Sequence, residues 1–269
     1  MKTSTSFIEK IFSPYALIAL NIVIVLICEF LGGGTYMAET GFVHAIAVVF
    51  VGLIIIRIFS DYAFSDYILR GFLKIQLTFF LFLGFVHIYE YFAEHVFIMR
   101  EDVVQLTVMA SYFVWLISIF LALGFVFRIY YKKSPAVMAL LWAIFALCIV
   151  GLIAPSVSDA VVAWFPLWFP KLILTGIVVV GILGIWALKK LAVIMPVFRE
   201  YSYYAIPATI FLVLASFSEY YESVGVSHLI GASEFQGLYI SHYTIYICLS
   251  LLLVGFGKLK KPKGIYEEM

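Results

Sequence analysis

Apolar residues run through this chain in long blocks with few polar interruptions. The stretches from Leu17 to Leu31, Phe79 to Val86 and Leu172 to Leu188 contain no charged side chain apart from Glu29. Uninterrupted blocks of about 17–25 residues match the hydrocarbon thickness of a bilayer. Hydropathy and chain breakers mark spans near 14–31, 42–59, 71–95, 104–130, 136–153, 166–188, 203–223 and 236–257. The pattern predicts an all-α integral membrane protein with about eight transmembrane helices, because only closed backbone hydrogen bonding survives in lipid.

The first block follows Lys2 and Lys10, as a secretion signal would. Its apolar core of roughly 17 residues exceeds the roughly 7–15 of a signal peptide, so it is expected to be a retained span. Basic residues then orient the whole set. The N-terminal tail, the segments 57–74, 128–133 and 189–199, and the tail from Lys258 hold fifteen of the seventeen Lys and Arg, leaving Arg100 and Lys171 on the other side. The positive-inside bias predicts a multi-pass protein of the cell membrane with both termini cytoplasmic, N-in and C-in. Ten of the sixteen acidic residues and all five histidines fall toward the opposite, extracytoplasmic side.

Two stretches look like copies of one another. SPYALIALNIVIVLIC from Ser13 resembles SPAVMALLWAIFALCI from Ser134, Arg70 and Arg199 each precede a span, and Glu90-Tyr91-Phe92 recurs as Glu219-Tyr220-Tyr221. These marks predict two four-helix halves, 1–131 and 132–269, the second ending in a short basic tail. An even number of spans per half makes them a parallel repeat about an axis near the membrane normal. The competing explanation is that apolar helices resemble one another by composition alone.

Composition removes several function classes. With 65% hydrophobic and 12% charged residues the chain cannot present a soluble surface. A net charge of +1 with scattered basic residues gives no nucleic-acid footprint. Cys28, Cys148 and Cys248 lie inside predicted spans without a CxxC pair, which argues against a disulfide frame or a zinc knuckle. No GxSxG, P-loop, GxGxxG or HExxH motif occurs.

Against this background FVHIYEYFAEHVF, Phe85 to Phe97, stands out. At 100° per residue, His87, Glu90 and Glu94 share an arc of about 60°, with His95 about 80° from His87. Glu219 and Glu222 repeat the i, i+3 spacing on the seventh span, and Ser216 takes the place of His87. Counting the rise along each helix puts Glu90, Glu219 and His242 at one level near the extracytoplasmic face, with His87 slightly deeper and His44 near the outer end of the second span. Carboxylates at the negative C-terminal ends of helices, in partly apolar surroundings, need a compensating cation, a proton or a protonated imidazole.

Carboxylate plus imidazole donors suit Zn, Fe, Mn or Cu, and four-helix bundles build metal sites from such residues. The expected ligands are His87, Glu90, Glu219 and His242, with Glu94 and Glu222 as the groups that move protons. The Glu-x-x-His spacing of di-iron bundles is not met. Haem held by His44 and His87 is the alternative, although the two histidines are expected about two turns apart in depth. Two further stretches carry blander readings. SDYAFSDY, from Ser60, reads as an interfacial loop with Tyr anchors, and WFPLWFPK, from Trp164, reads as an aromatic belt.

The inner halves of the spans carry almost no polar side chains apart from Asn21, Gln76, Thr78 and Thr209. This one-sided polarity predicts a metal-dependent oxidoreductase or hydrolase acting at the outer face on a lipidic or quinone-like substrate. Two alternatives stay open: a transporter of a divalent cation or small solute, and a quinone-binding membrane anchor that works with partner subunits of a respiratory complex.

Overall fold

The structure, a computed structural model, describes residues 36–62, 67–96, 169–223 and 234–259, together with single helical positions at 16, 19, 23, 117, 121 and 124. The described segments are helical: α1 (Tyr36–Tyr62), α2 (Tyr67–His95), α3 (Phe169–Ile194), α4 (Pro196–Ser223) and α5 (Glu234–Phe256). Apolar stretches long enough to cross a membrane run over Val43–Ser60, Leu69–Phe92, Leu174–Ile194 and Pro196–Ser218, and a shorter one over His242–Phe256. Of the expected spans near 14–31 and 104–130 only those single helical positions are described, and the expected span near 136–153 lies outside the described residues.

These helices are apolar on every side, as lipid requires. One face of each joins a common core through Ile54, Phe72, Phe80, Leu212 and Leu249. The other face leaves large apolar residues uncovered, among them Val49, Ile56, Phe85, Ile182 and Val193. In water such a surface would be an aggregation site; against acyl chains it is at no disadvantage.

The helices form two hairpins and a closing helix. Val51 of α1 faces Gly84 of α2, and His44 faces Glu90, so α1 and α2 run antiparallel. In the second hairpin Ser202 donates to the Leu188 carbonyl at 3.2 Å, and a Cβ on Gly181 would meet Val213 at 3.0 Å. Helix α5 lies along α1 in the same direction: His44 pairs with His242, Phe50 with Tyr246, and Arg57 with Gly257. Its C-terminal turn packs on the N-terminal part of α4, where a Cβ on Gly255 would stand 3.2 Å from Tyr204 Cβ. That contact is to an atom fixed by the backbone, so Gly255→Val is expected to lower stability by about 1–3 kcal/mol, measured by unfolding in detergent.

Helix boundaries depart from hydropathy at the polar ends. The expected loop at 57–74 shrinks, since α1 continues to Tyr62 and α2 begins at Tyr67. The expected loop at 189–199 shrinks to one non-helical residue, Met195, and α4 begins at Pro196 instead of near 203. Lys189, Lys190 and Arg199 are exposed helical positions, whose long side chains can reach water while the backbone stays helical. Proline suits a first helical turn because its missing N–H would be unpaired there. Met195 N–H donates to Leu191, and Phe198 N–H to the Met195 carbonyl, which closes the corner.

Helix α4 also runs through Pro207. Nearby hydroxyls return to their own helix, Thr209 to Ala205 at 2.8 Å and Ser216 to Leu212 at 2.9 Å, so these buried side chains are paired inside the apolar layer. At the other end of the bundle the Arg57 guanidinium donates to the Gly257 carbonyl at 3.3 Å and so caps α5. Arg57, Arg70, Lys74, Lys189, Lys190, Arg199 and Lys258 all belong to that end, and of the described basic residues Lys171 alone belongs to the opposite one.

Candidate metal centre

At the end opposite that basic rim, three helices bring polar side chains to one point. His44 lies at the start of the apolar stretch of α1, His87 and Glu90 lie in the last turns of that of α2, and His242 opens that of α5. His44, His87, Glu90 and His242 each offer one ligand atom, and these atoms all lie within 4.8 Å of one another. All four side chains are buried, with exposures of 1–3%.

The carboxylate sits between the rings. Glu90 Oε2 is 2.9 Å from His44 Nε2 and 3.6 Å from His87 Nδ1. Neither contact is an aligned hydrogen bond, and both ring nitrogens of His87 are buried without one. The imidazoles meet at centroid distances of 4.9 Å (His44–His242), 5.9 Å (His44–His87) and 6.2 Å (His87–His242) and are inclined by 51–68°. Inclined rings at these distances are ordinary for packed aromatic side chains, and it is the four donor atoms within 4.8 Å of one another that mean this group could hold a metal ion.

The surroundings fix two of the candidate ligands. Tyr246, one turn beyond His242, donates its hydroxyl to the Val43 carbonyl at 2.5 Å, which holds the backbone next to His44. Its ring stands 6.4 Å from His242 and stacks at 5.9 Å on Phe50. Tyr246→Phe is therefore expected to weaken metal binding by about tenfold, the lower end of the effect of removing an outer support, as measured by competition with a chelator.

Of the residues expected from spacing, the structure brings His87, Glu90 and His242 together. Helix α4 also ends at this end of the bundle with Ser216, Glu219 and Glu222, but the side chains of Glu219, Glu222 and Glu94 lie outside the described residues. Ser216 is buried and bonded within α4. His44 joins the group although its expected depth was about two turns from His87. The helix begins at Tyr36, ahead of the expected start near 42, so His44 lies two turns inside it. A haem between His44 and His87 fits this geometry poorly, since Glu90 and His242 share the same small space.

A cleft of about 330 Å³ lies between α1 and α2, lined by His44, Ala45, Val48, His87, Ile88, Tyr91 and Phe92. Two of the candidate ligands thus form part of the wall of an otherwise apolar space. No protein-family model, no curated protein sequence and no solved structure matches this chain.

Proposed function

We propose that the chain is an integral-membrane metalloprotein in which His44, His87, Glu90 and His242 hold a redox-active transition metal, and that it acts as an oxidoreductase on a lipidic or quinone-like substrate. The observation that carries this reading is the convergence of four buried donors from three helices within 4.8 Å. Three imidazoles and one carboxylate select borderline metals over Ca or Mg, which prefer oxygen. Four protein donors close a tetrahedral zinc shell but leave open positions on six-coordinate Fe or Mn. The oxidoreductase reading therefore requires iron, manganese or copper, whereas zinc, which the same four donors would also hold, would make the centre a structural clasp.

A hydrolase is the weaker form of this reading, because it needs water at the metal and the adjoining cleft is apolar. A cation transporter is weaker still. Beyond the cluster, the buried polar side chains among the described residues are Gln76, Ser202, Thr209, Ser216 and Ser250, with no further carboxylate or imidazole to relay an ion. A quinone-binding anchor for a larger assembly shares the same surface chemistry and would reveal itself by co-purifying chains.

In this reading Glu94, one turn past Glu90, and Glu222, on the last turn of α4, carry protons to and from the site. The basic rim at the far end supports N-in, C-in insertion in the cell membrane with the centre toward the extracytoplasmic face. The eight-span count and the parallel repeat of 1–131 and 132–269 belong to the same proposal.

The test is elemental analysis with a visible and electron paramagnetic resonance spectrum on purified protein. One iron, manganese or copper per chain supports the oxidoreductase. Stoichiometric zinc turns the centre into a clasp, and protein without metal after reconstitution with each ion overturns the reading.

A further inference from the structure

The cleft between α1 and α2 differs from the rest of the uncovered apolar surface because His44 and His87 form part of its wall. Its lining is otherwise Ala45, Val48, Ile88, Tyr91 and Phe92. Ile88 and Phe92 are 46% and 45% exposed, and Val49 and Phe85 beside them are 61% and 64% exposed. The mouth is therefore continuous with the surface that faces acyl chains. The volume falls at the small end of ligand sites, about 300–1,000 Å³.

We infer that this cleft binds the hydrocarbon chain, alkyl or isoprenyl, of a substrate that enters sideways from the bilayer and lies against the ring edges of His44 and His87. The inference rests on reading those two histidines as metal ligands, and it names the substrate by its apolar part. Nε2 of His44 and both nitrogens of His87 are buried, so these atoms do not open to the cleft, and the His87 ring turns a carbon edge toward it. A polar headgroup would lose its water there without recovering hydrogen bonds. A hydrocarbon chain loses nothing, since it passes from one apolar medium to another and gains packing against fixed walls. Tyr91 and Phe92 add aromatic wall on the side where α2 leaves the apolar layer.

The arrangement also gives order to the approach. A chain lying along α1 and α2 would bring carbons of its own length beside the metal ligands, an arrangement that suits a lipidic substrate oxidised on its chain over a quinone reduced at its ring. The site would then select by chain, with tolerance for the head.

The experiment uses the full chain in phosphatidylcholine vesicles with a palmitate analogue carrying a diazirine in its chain, photolysed and mapped by mass spectrometry, with metal content measured on the same preparation. Wild type is expected to give adducts concentrated at Ala45, Val48, Ile88 and Phe92. Ala45→Trp, which fills an exposed lining position and removes no ligand, is expected to reduce them about tenfold and to keep its metal. Adducts spread evenly over Val49, Leu81 and Ile182, or unchanged in Ala45→Trp, overturn the inference and mean annular lipid only. If Ala45→Trp fails to fold, Val48→Phe gives the same comparison. Metal in the protein without concentrated adducts sinks the cleft and spares the metal centre; concentrated adducts without metal do the reverse.

Discussion

Replacing His242 by Ala is expected to lower metal affinity by more than about 100-fold, beyond the range seen for outer supports of a ligand. His242 is the contribution of α5, and its ring stands 4.9 Å from His44 and 6.2 Å from His87. Without it the donors come from a single helical hairpin, and a three-ligand site remains. Equilibrium dialysis against the reconstituting metal measures the effect. Affinity within about threefold of wild type would remove His242 from the shell.

The second large effect concerns stability. Stripping the metal is expected to lower the unfolding temperature by on the order of 10 °C, because a ligand present at about 1,000 times its dissociation constant contributes roughly 4 kcal/mol. Glu90 sharpens the test. Its carboxylate is 2% exposed, and a buried charge that loses its partner costs about 3–5 kcal/mol. Glu90→Gln removes the charge and leaves three imidazoles as donors, so chelator should shift the unfolding temperature of that variant by less than about half the wild-type amount. If chelator shifts wild type and Glu90→Gln equally, it acts elsewhere and the cluster is a hydrogen-bonded core.

How much of this could be read from the sequence follows from what each helix needed. Membrane location and helical class were legible, because an apolar block of bilayer length has few other uses. His87 and Glu90 were legible as neighbours because i, i+3 spacing places them on one stripe of one helix. His242 came from counting rise along a helix whose start was well marked.

His44 was not legible as a partner, because hydropathy put the start of its span near 42 while the helix begins at Tyr36. The added turns include Glu39 and Thr40, polar residues that hydropathy counts as outside the layer but that remain helical. Glu219 was drawn in by the likeness of Glu90-Tyr91-Phe92 to Glu219-Tyr220-Tyr221. Its helix does reach the same end of the bundle, where Ser216 stands at the position corresponding to His87. The cleft was beyond sequence reading altogether, since it depends on how closely two apolar helices approach.

The centre draws its donors from chain positions that are made at very different times. His44, His87 and Glu90 belong to a hairpin completed early in synthesis, and His242 follows roughly 150 residues later, a delay on the order of ten seconds at about 5–20 residues per second. During that interval the buried carboxylate has two imidazoles beside it and no third. Until α5 arrives the hairpin offers a cation two imidazoles and one carboxylate. Only arrival of α5, anchored by Tyr246 on the Val43 carbonyl, completes the donor set, so in the proposed metalloprotein metal loading would record that α5 has been inserted in register.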